Sequence, residues 1–117
     1  GGPLLVHKGA LQPFPSPKGT NASLSARNPR TALGFNFRNL YLAEVDGRQK
    51  TLSVGMTFAE LAALMKSLGC TEAMNLDGGG SSTFWLDGRV VNSPSDKHER
   101  AVANAVAILR KKTAVRP

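Results

Sequence analysis

One cysteine, one tyrosine and one tryptophan are all that 117 residues contain of those types, and each scarcity removes a class of protein. A lone Cys70 excludes an internal disulfide. It follows the end of a helical pattern and precedes an apolar run, a setting for a buried thiol rather than a nucleophile. Five Phe, one Tyr and one Trp are too few and too scattered to form the stacking platform of a single-strand nucleic-acid binder. Two histidines, His7 and His98, lack metal-ligand spacing, so neither a metal nor another cofactor is expected. No apolar run is long enough to span a bilayer. There is no initiating Met, and the expectation is that a preceding segment, with any targeting sequence, has been removed.

Acidic residues are also sparse. Eight Asp and Glu face fifteen Lys and Arg, a net charge of +7, and a basic surface attracts anions. The cluster Arg110-Lys111-Lys112 reads as a solvated tail rather than a nucleic-acid arm. The 41% apolar content suffices for a packed core, so the chain reads as one globular domain, residues 1–117. A core of this size is modest, which suggests association with a further segment or a second copy.

Leu4 to Val6 reads as a short strand. Residues 8 to 30 are rich in Gly, Pro, Ser and Asn and read as an extended loop; within them Asn21-Ala22-Ser23 fits the N-glycosylation pattern, which matters only in a secreted eukaryotic protein. Thr31 to Phe37 alternates with period two and predicts a strand. Leu40 to Val45 predicts another, Asp46-Gly47 a hairpin turn, and Lys50 to Val54 the returning strand. Thr57-Phe58-Ala59-Glu60 is a capping box. After it Phe58, Leu61, Ala62, Met65 and Leu68 recur at helical spacing, so a helix is expected over about residues 57–68, closed by Gly69. Ala73 to Leu76 predicts a short strand. Thr83 to Leu86 and Arg89 to Asn92 predict a hairpin around Asp87-Gly88. Residues 93 to 100 read as a polar loop. Val102, Asn104, Val106 and Ile108 alternate with small residues and predict a closing strand, although a helix from Glu99 to Lys111 fits the same alanines. The fold class expected is α+β, a largely antiparallel sheet with one main helix.

The chemistry points to Asn75-Leu76-Asp77-Gly78-Gly79-Gly80-Ser81-Ser82-Thr83. Three glycines allow conformations that side chains forbid, and such a loop can turn several N–H groups toward one anion. The hydroxyls add donors, and Asp77 supplies a carboxylate where a strand ends. No Gly-Lys-Ser/Thr follows, so this is not a Walker phosphate loop; Gly-x-Gly-x-x-Gly before a helix and Gly-x-Ser-x-Gly are also absent.

This stretch closely resembles the signature of the phosphodiester glycosidase family, which hydrolyses bonds between a sugar's anomeric carbon and phosphate and includes an enzyme that removes N-acetylglucosamine. Other segments agree in order. Gly2-Pro3-Leu4-Leu5-Val6 resembles the family's entry strand and Arg30-Thr31-Ala32-Leu33-Gly34 its Arg-Thr-Ala-x-Gly strand. Gly55 to Ala62 with Leu68-Gly69 resembles its helix, and Asn92 to Asp96 with Arg100 its closing polar loop. The resemblance covers nearly the whole chain and implies the C-terminal portion of the family's domain. An upstream segment with an Asn-Gly-Gly/Asp-Phe-Phe-type motif is then expected, in the same polypeptide or in a separate chain. It further implies a hydrolase that releases free sugar and a phosphate monoester outside the cytoplasm, in a cell envelope, exopolysaccharide or secreted setting.

A phosphate monoester has a second pKa near 6 and leaves as an anion, so donors and positive charge on the phosphate matter more than a strong acid. The roles expected are as follows. Asp77 activates water or stabilises an oxocarbenium-like sugar, and Asp96 is the second carboxylate. Gly78, Gly79 and Gly80, with Ser81 and Ser82, hold phosphate or sugar hydroxyls. Arg30, beside Thr31, and Arg100 bind phosphate. Asn75 and Asn92 orient sugar hydroxyls. The alternative is a non-catalytic domain that binds phosphorylated or anionic glycans with the same groups; nucleic acid is not expected as a partner.

Overall fold

The computed structural model describes residues 1–14 and 26–112. Asn21-Ala22-Ser23 lies outside the described residues.

The sheet begins with β1 (Leu4–His7) and β2 (Ala10–Leu11), joined by Lys8-Gly9 with both residues at positive φ. That backbone matches the twist of a two-residue hairpin. The Glu72 carboxylate accepts from the Lys8 N–H at 3.0 Å and contacts His7 Nδ1 at 2.9 Å, tying the hairpin to the centre of the sheet. Next come β3 (Arg30–Phe35) and β4 (Leu40–Val45), paired antiparallel from Arg30↔Val45 to Phe35↔Leu40. The capping box forms as expected: Thr57 Oγ1 accepts from Glu60 N–H at 3.1 Å, and Glu60 Oε2 accepts from Thr57 N–H at 3.0 Å. It opens α1 (Phe58–Ser67), and Gly69 at φ +99° stops it. β5 (Glu72–Asn75) then inserts between β1 and β3. The five strands run in the order β2-β1-β5-β3-β4, every pairing antiparallel. The chain therefore has the expected α+β architecture.

Helix α1 buries Phe58, Leu61, Ala62 and Met65 against Leu5, Val6, Ala32, Cys70 and Ala73. The sheet offers small residues here because the helix comes close. A Cβ on Gly34 would lie 2.7 Å from Cys70 Sγ and 2.8 Å from Met65 Cε, too near for any side chain. Register assigns the other face: Thr31 lies opposite Glu44, and Leu33 opposite both Leu42 and Met74. These neighbours share the face turned away from α1.

Four expectations are corrected. Strand β3 ends at Phe35, and Phe37 is 90% exposed in the following loop. Asp46-Gly47 is not a hairpin turn, and Lys50 to Val54 does not return as a strand; only an isolated bridge, Gln49↔Ser53, forms there. Gly47 is used for close approach instead: a Cβ would stand 2.6 Å from Pro29 N, and the chain turns at Arg48, φ +58°. β4 is thus left at the edge of the sheet. The loop expected over 8–30 contains β2, paired at Val6↔Leu11. Finally, residues 101–112 form neither strand nor helix; Val106 and Ile108 are more than half exposed, and the segment pairs with no strand among the described residues, so the alternating pattern gains no ladder. The hairpin expected over 83–92 is present but short, β6 (Trp85–Leu86) and β7 (Arg89–Val90) about Asp87-Gly88.

Candidate functional site

Three strand ends meet on one side of the sheet: the start of β3 and the ends of β4 and β5. The glycine loop leaves β5 there and is held back against the chain before β3. Leu76 N–H donates to Thr31 O at 2.8 Å, and Gly79 N–H to Pro29 O at 3.0 Å. A single 3₁₀ turn, Gly79–Ser81, follows. Each glycine has its own reason. Gly79 sits at φ +61°; a Cβ on Gly78 would come 2.7 Å from Pro29 O, and one on Gly80 would enter the Asp96 carboxylate. Much of the loop's donor capacity is spent internally. Gly78 N–H donates to Asp77 Oδ1 at 2.9 Å, Ser81 N–H to Gly78 O and Ser82 N–H to Gly79 O.

A cleft of about 580 Å³ opens between this loop, the outer face of β3–β4 and residues 99–106. Of the expected site residues, Thr31, Asp77, Ser81 and Arg100 line it. Arg100 Nη2 donates to Ser81 Oγ at 2.5 Å, and its Nη1 lies 3.6 Å from Asp96 Oδ2. Thr31 Oγ1 donates to Ser82 Oγ at 3.1 Å, so strand β3 and the loop are pinned hydroxyl to hydroxyl. Asp77 is exposed at the mouth.

The remaining expected residues do not line this cleft, although Asn92 lines an adjoining hollow with Leu42, Glu44 and Asp46. Arg30 is buried over the Phe58 ring, its Cζ 3.9 Å from the centroid, and donates through Nε to Met56 O and through Nη2 to Ala26 O, each at 2.8 Å. Burial and the nearby Arg48 charge lower its pKa. Asn75 is buried with Nδ2 on Gly2 O at 2.9 Å and Oδ1 without a hydrogen-bond partner among the described residues. Asn92 is a staple: Oδ1 accepts from Phe84 N–H, and Nδ2 donates to Ser82 O and Asp46 Oδ1, both at 3.0 Å. Gly80 and Ser82 are buried, Gly78 and Gly79 are half-buried, and Asp96, from the closing loop, lies against Gly80.

Two residues escaped sequence reasoning. Asp46, expected to be a turn residue, accepts from Ser93 N–H and from Asn92, and so joins the end of β4 to the closing loop. Glu44, directly across from Thr31, lines the cleft. Its Oε1 is buried without a hydrogen-bond partner among the described residues. Burial first, and the Asp46 charge second, push its pKa up to about 7, and the Asn92 amide opposes the shift. The available signal was alternation: in Leu40 to Val45, Glu44 falls on the same face as Leu42, where a charge is out of place.

Among the described residues no three His, Cys, Asp or Glu side chains gather as a metal site, and no helix is long and apolar enough to cross a membrane. What the cleft offers is carboxylates facing a hydroxyl and a guanidinium, a set able to position a polar anionic substrate and handle protons.

A prophage-derived uncharacterized protein of Bacillus subtilis, YomE, is 40% identical over 90 residues, 76% of this chain and 14% of its own. The bovine N-acetylglucosamine-1-phosphodiester alpha-N-acetylglucosaminidase is 38% identical over 77 residues, 65% of this chain and 14% of its own. The chain therefore spans about one seventh of the curated relatives it matches. The solved catalytic domain of the zebrafish enzyme of that name, auto-inhibited by its pro-peptide, superposes with a TM-score of 0.62 at 28% identity, covering 79% of this chain and 33% of that one. A Burkholderia pseudomallei protein named as a candidate exported protein superposes with a TM-score of 0.57 at 54% identity, over 60% of this chain and 14% of that one. Residues 1–109 match the pattern of the phosphodiester glycosidases, and the chain belongs to that family.

Proposed function

We propose that the chain is the C-terminal portion of a domain that hydrolyses sugar-1-phosphodiesters outside the cytoplasm, and that residues 1–117 act as one unit. The observation that carries this reading is the convergence of Asp77, Ser81, Arg100 and Thr31 on one cleft, built by the loop with the most specific family resemblance. The names of the bovine and zebrafish relatives support N-acetylglucosamine as the sugar.

In the proposed reaction water bonds to the anomeric carbon as the carbon–oxygen bond to phosphate breaks. Asp77 takes the water's proton or, placed closer, stabilises positive charge on the sugar. The bonding pair goes to the phosphate oxygen, and the phosphate monoester leaves. Arg100 carries the charge-assisted contact to phosphate, held in aim by Ser81 and Asp96. Arg30 acts indirectly: its guanidinium is committed to the carbonyls of Ala26 and Met56, and it fixes the Pro29 segment on which the glycine loop rests. Asn75 and Asn92 likewise set the loop, and the glycines let it pack against Pro29 and Asp96.

Release of free sugar by the wild type but not by a folded Asp77→Asn variant supports hydrolysis. Binding without turnover in both selects the alternative, a domain that only holds anionic glycans.

A further inference from the structure

We propose that Glu44 is a second catalytic residue of this site: its protonated carboxyl donates to the phosphate oxygen that departs from the sugar. This inference rests on the glycosidase reading. Three observations carry it. Register sets Glu44 beside Thr31 on the face of the sheet away from α1, and the cleft that Asp77 lines also contains Glu44. One oxygen, Oε1, is buried with no hydrogen-bond partner among the described residues, which is costly for a carboxylate and much less so for a neutral acid. The basic group on the same cleft wall, Arg100, is already engaged by Ser81 and Asp96 rather than by Glu44.

Among the described residues, the charged side chains around Glu44 are Asp46 two residues along β4 and Asp77, Glu99 and Arg100 in the cleft. Three are acidic, so an anionic phosphodiester enters on better terms when Glu44 is neutral. Its pKa of about 7 suits the exchange, because a phosphate monoester takes up its second proton near pH 6. As the bond between the anomeric carbon and oxygen breaks, the electron pair stays on the phosphate oxygen and the Glu44 proton moves toward it. Water supplies the new carbon–oxygen bond and gives its proton to Asp77. The sum is sugar plus monoester, with one proton moved from Glu44 to the monoester and one from water to Asp77; solvent then resets both carboxyls.

The active form is the protonated one, so it is present below about pH 7 and lost as pH rises through that value. The test measures kcat/KM of the full chain against pH on an N-acetylglucosamine-1-phosphodiester, for wild type, Glu44→Gln and Asp77→Asn. N-acetylglucosaminyl fluoride, whose leaving group needs no donated proton, is the second substrate. Glu44→Gln is expected to be slower on the phosphodiester by about tenfold or more, at the low end for lost acid catalysis, and to lack the decline near pH 7, yet to approach wild type on the fluoride. Equal loss on both substrates, or a wild-type rate and pH profile in Glu44→Gln, overturns the inference. If Asp77→Asn is inactive at the same time, the glycosidase reading survives that failure. A wild type that releases no sugar from either substrate overturns both.

Discussion

The Asp96 carboxylate lies directly against Gly80: a Cβ built on that glycine would come 2.2 Å from Oδ2. At Gly78 the obstacle is the Pro29 carbonyl, 2.7 Å away, which is backbone. Two glycines of one loop, Gly78 and Gly80, thus meet obstacles of different stiffness. Gly78→Ala forces main chain to move and is expected to cost about 1–3 kcal/mol of stability. Gly80→Ala needs only the end of a side chain to swing aside, so it leaves Tm almost unchanged. It also releases Asp96 from its place beside Arg100, and KM for a phosphodiester should rise with little loss of kcat. Thermal melts and steady-state kinetics of the two variants check the contrast.

The helix cap is expected to be silent in catalysis. Thr57→Ala removes the acceptor for Glu60 N–H and should lower stability by about 1 kcal/mol, measured by urea unfolding, while kcat/KM stays at the wild-type level.

Glu44 links stability to pH with a definite sign. Its folded pKa, about 7, is above the ordinary carboxylate value of 4.5, so between those values the unfolded chain binds fewer protons than the folded one. The penalty is absent at low pH, grows as pH rises from 4.5 and is complete above about 7. Glu44→Gln removes it and should be more stable than wild type at pH 8 but not at pH 4, measured by denaturant midpoints at the two values.

Part of the Glu44 shift comes from Asp46. Asp46→Asn keeps an oxygen for Ser93 N–H and removes the charge. A neighbouring negative charge raises an acid's pKa, so its removal lowers it, and the alkaline decline in kcat/KM should begin at lower pH than in wild type.

Much of this architecture was legible in the sequence, because its signals are local. The Thr57 and Glu60 pair, the helical stripe and Gly69 depend on neighbours within a few residues, and α1 formed where they predict. Asp46-Gly47 misled for the opposite reason. The pair has the composition of a tight turn, but its use is fixed by Pro29 and Asn92, distant in sequence, and no local pattern reports them. The same limit held at the site. Asp77 and the glycine run stand out in one stretch, whereas the place of Arg30 under the loop and of Glu44 across from Thr31 exists only once β3, β4 and β5 have paired. The segment 101–112 has the alternation of a strand but pairs with no strand among the described residues, so propensity alone did not form one.

The proposed reaction breaks the bond on the sugar side of a phosphodiester. Hydrolysis of a sugar-1-phosphodiester in water enriched in ¹⁸O tests it most directly, with mass spectra of both products. The expected result is one labelled oxygen on the anomeric carbon of the released sugar, unlabelled phosphate monoester, and loss of the reaction in Asp77→Asn. Label in the phosphate, which marks attack at phosphorus, would contradict it.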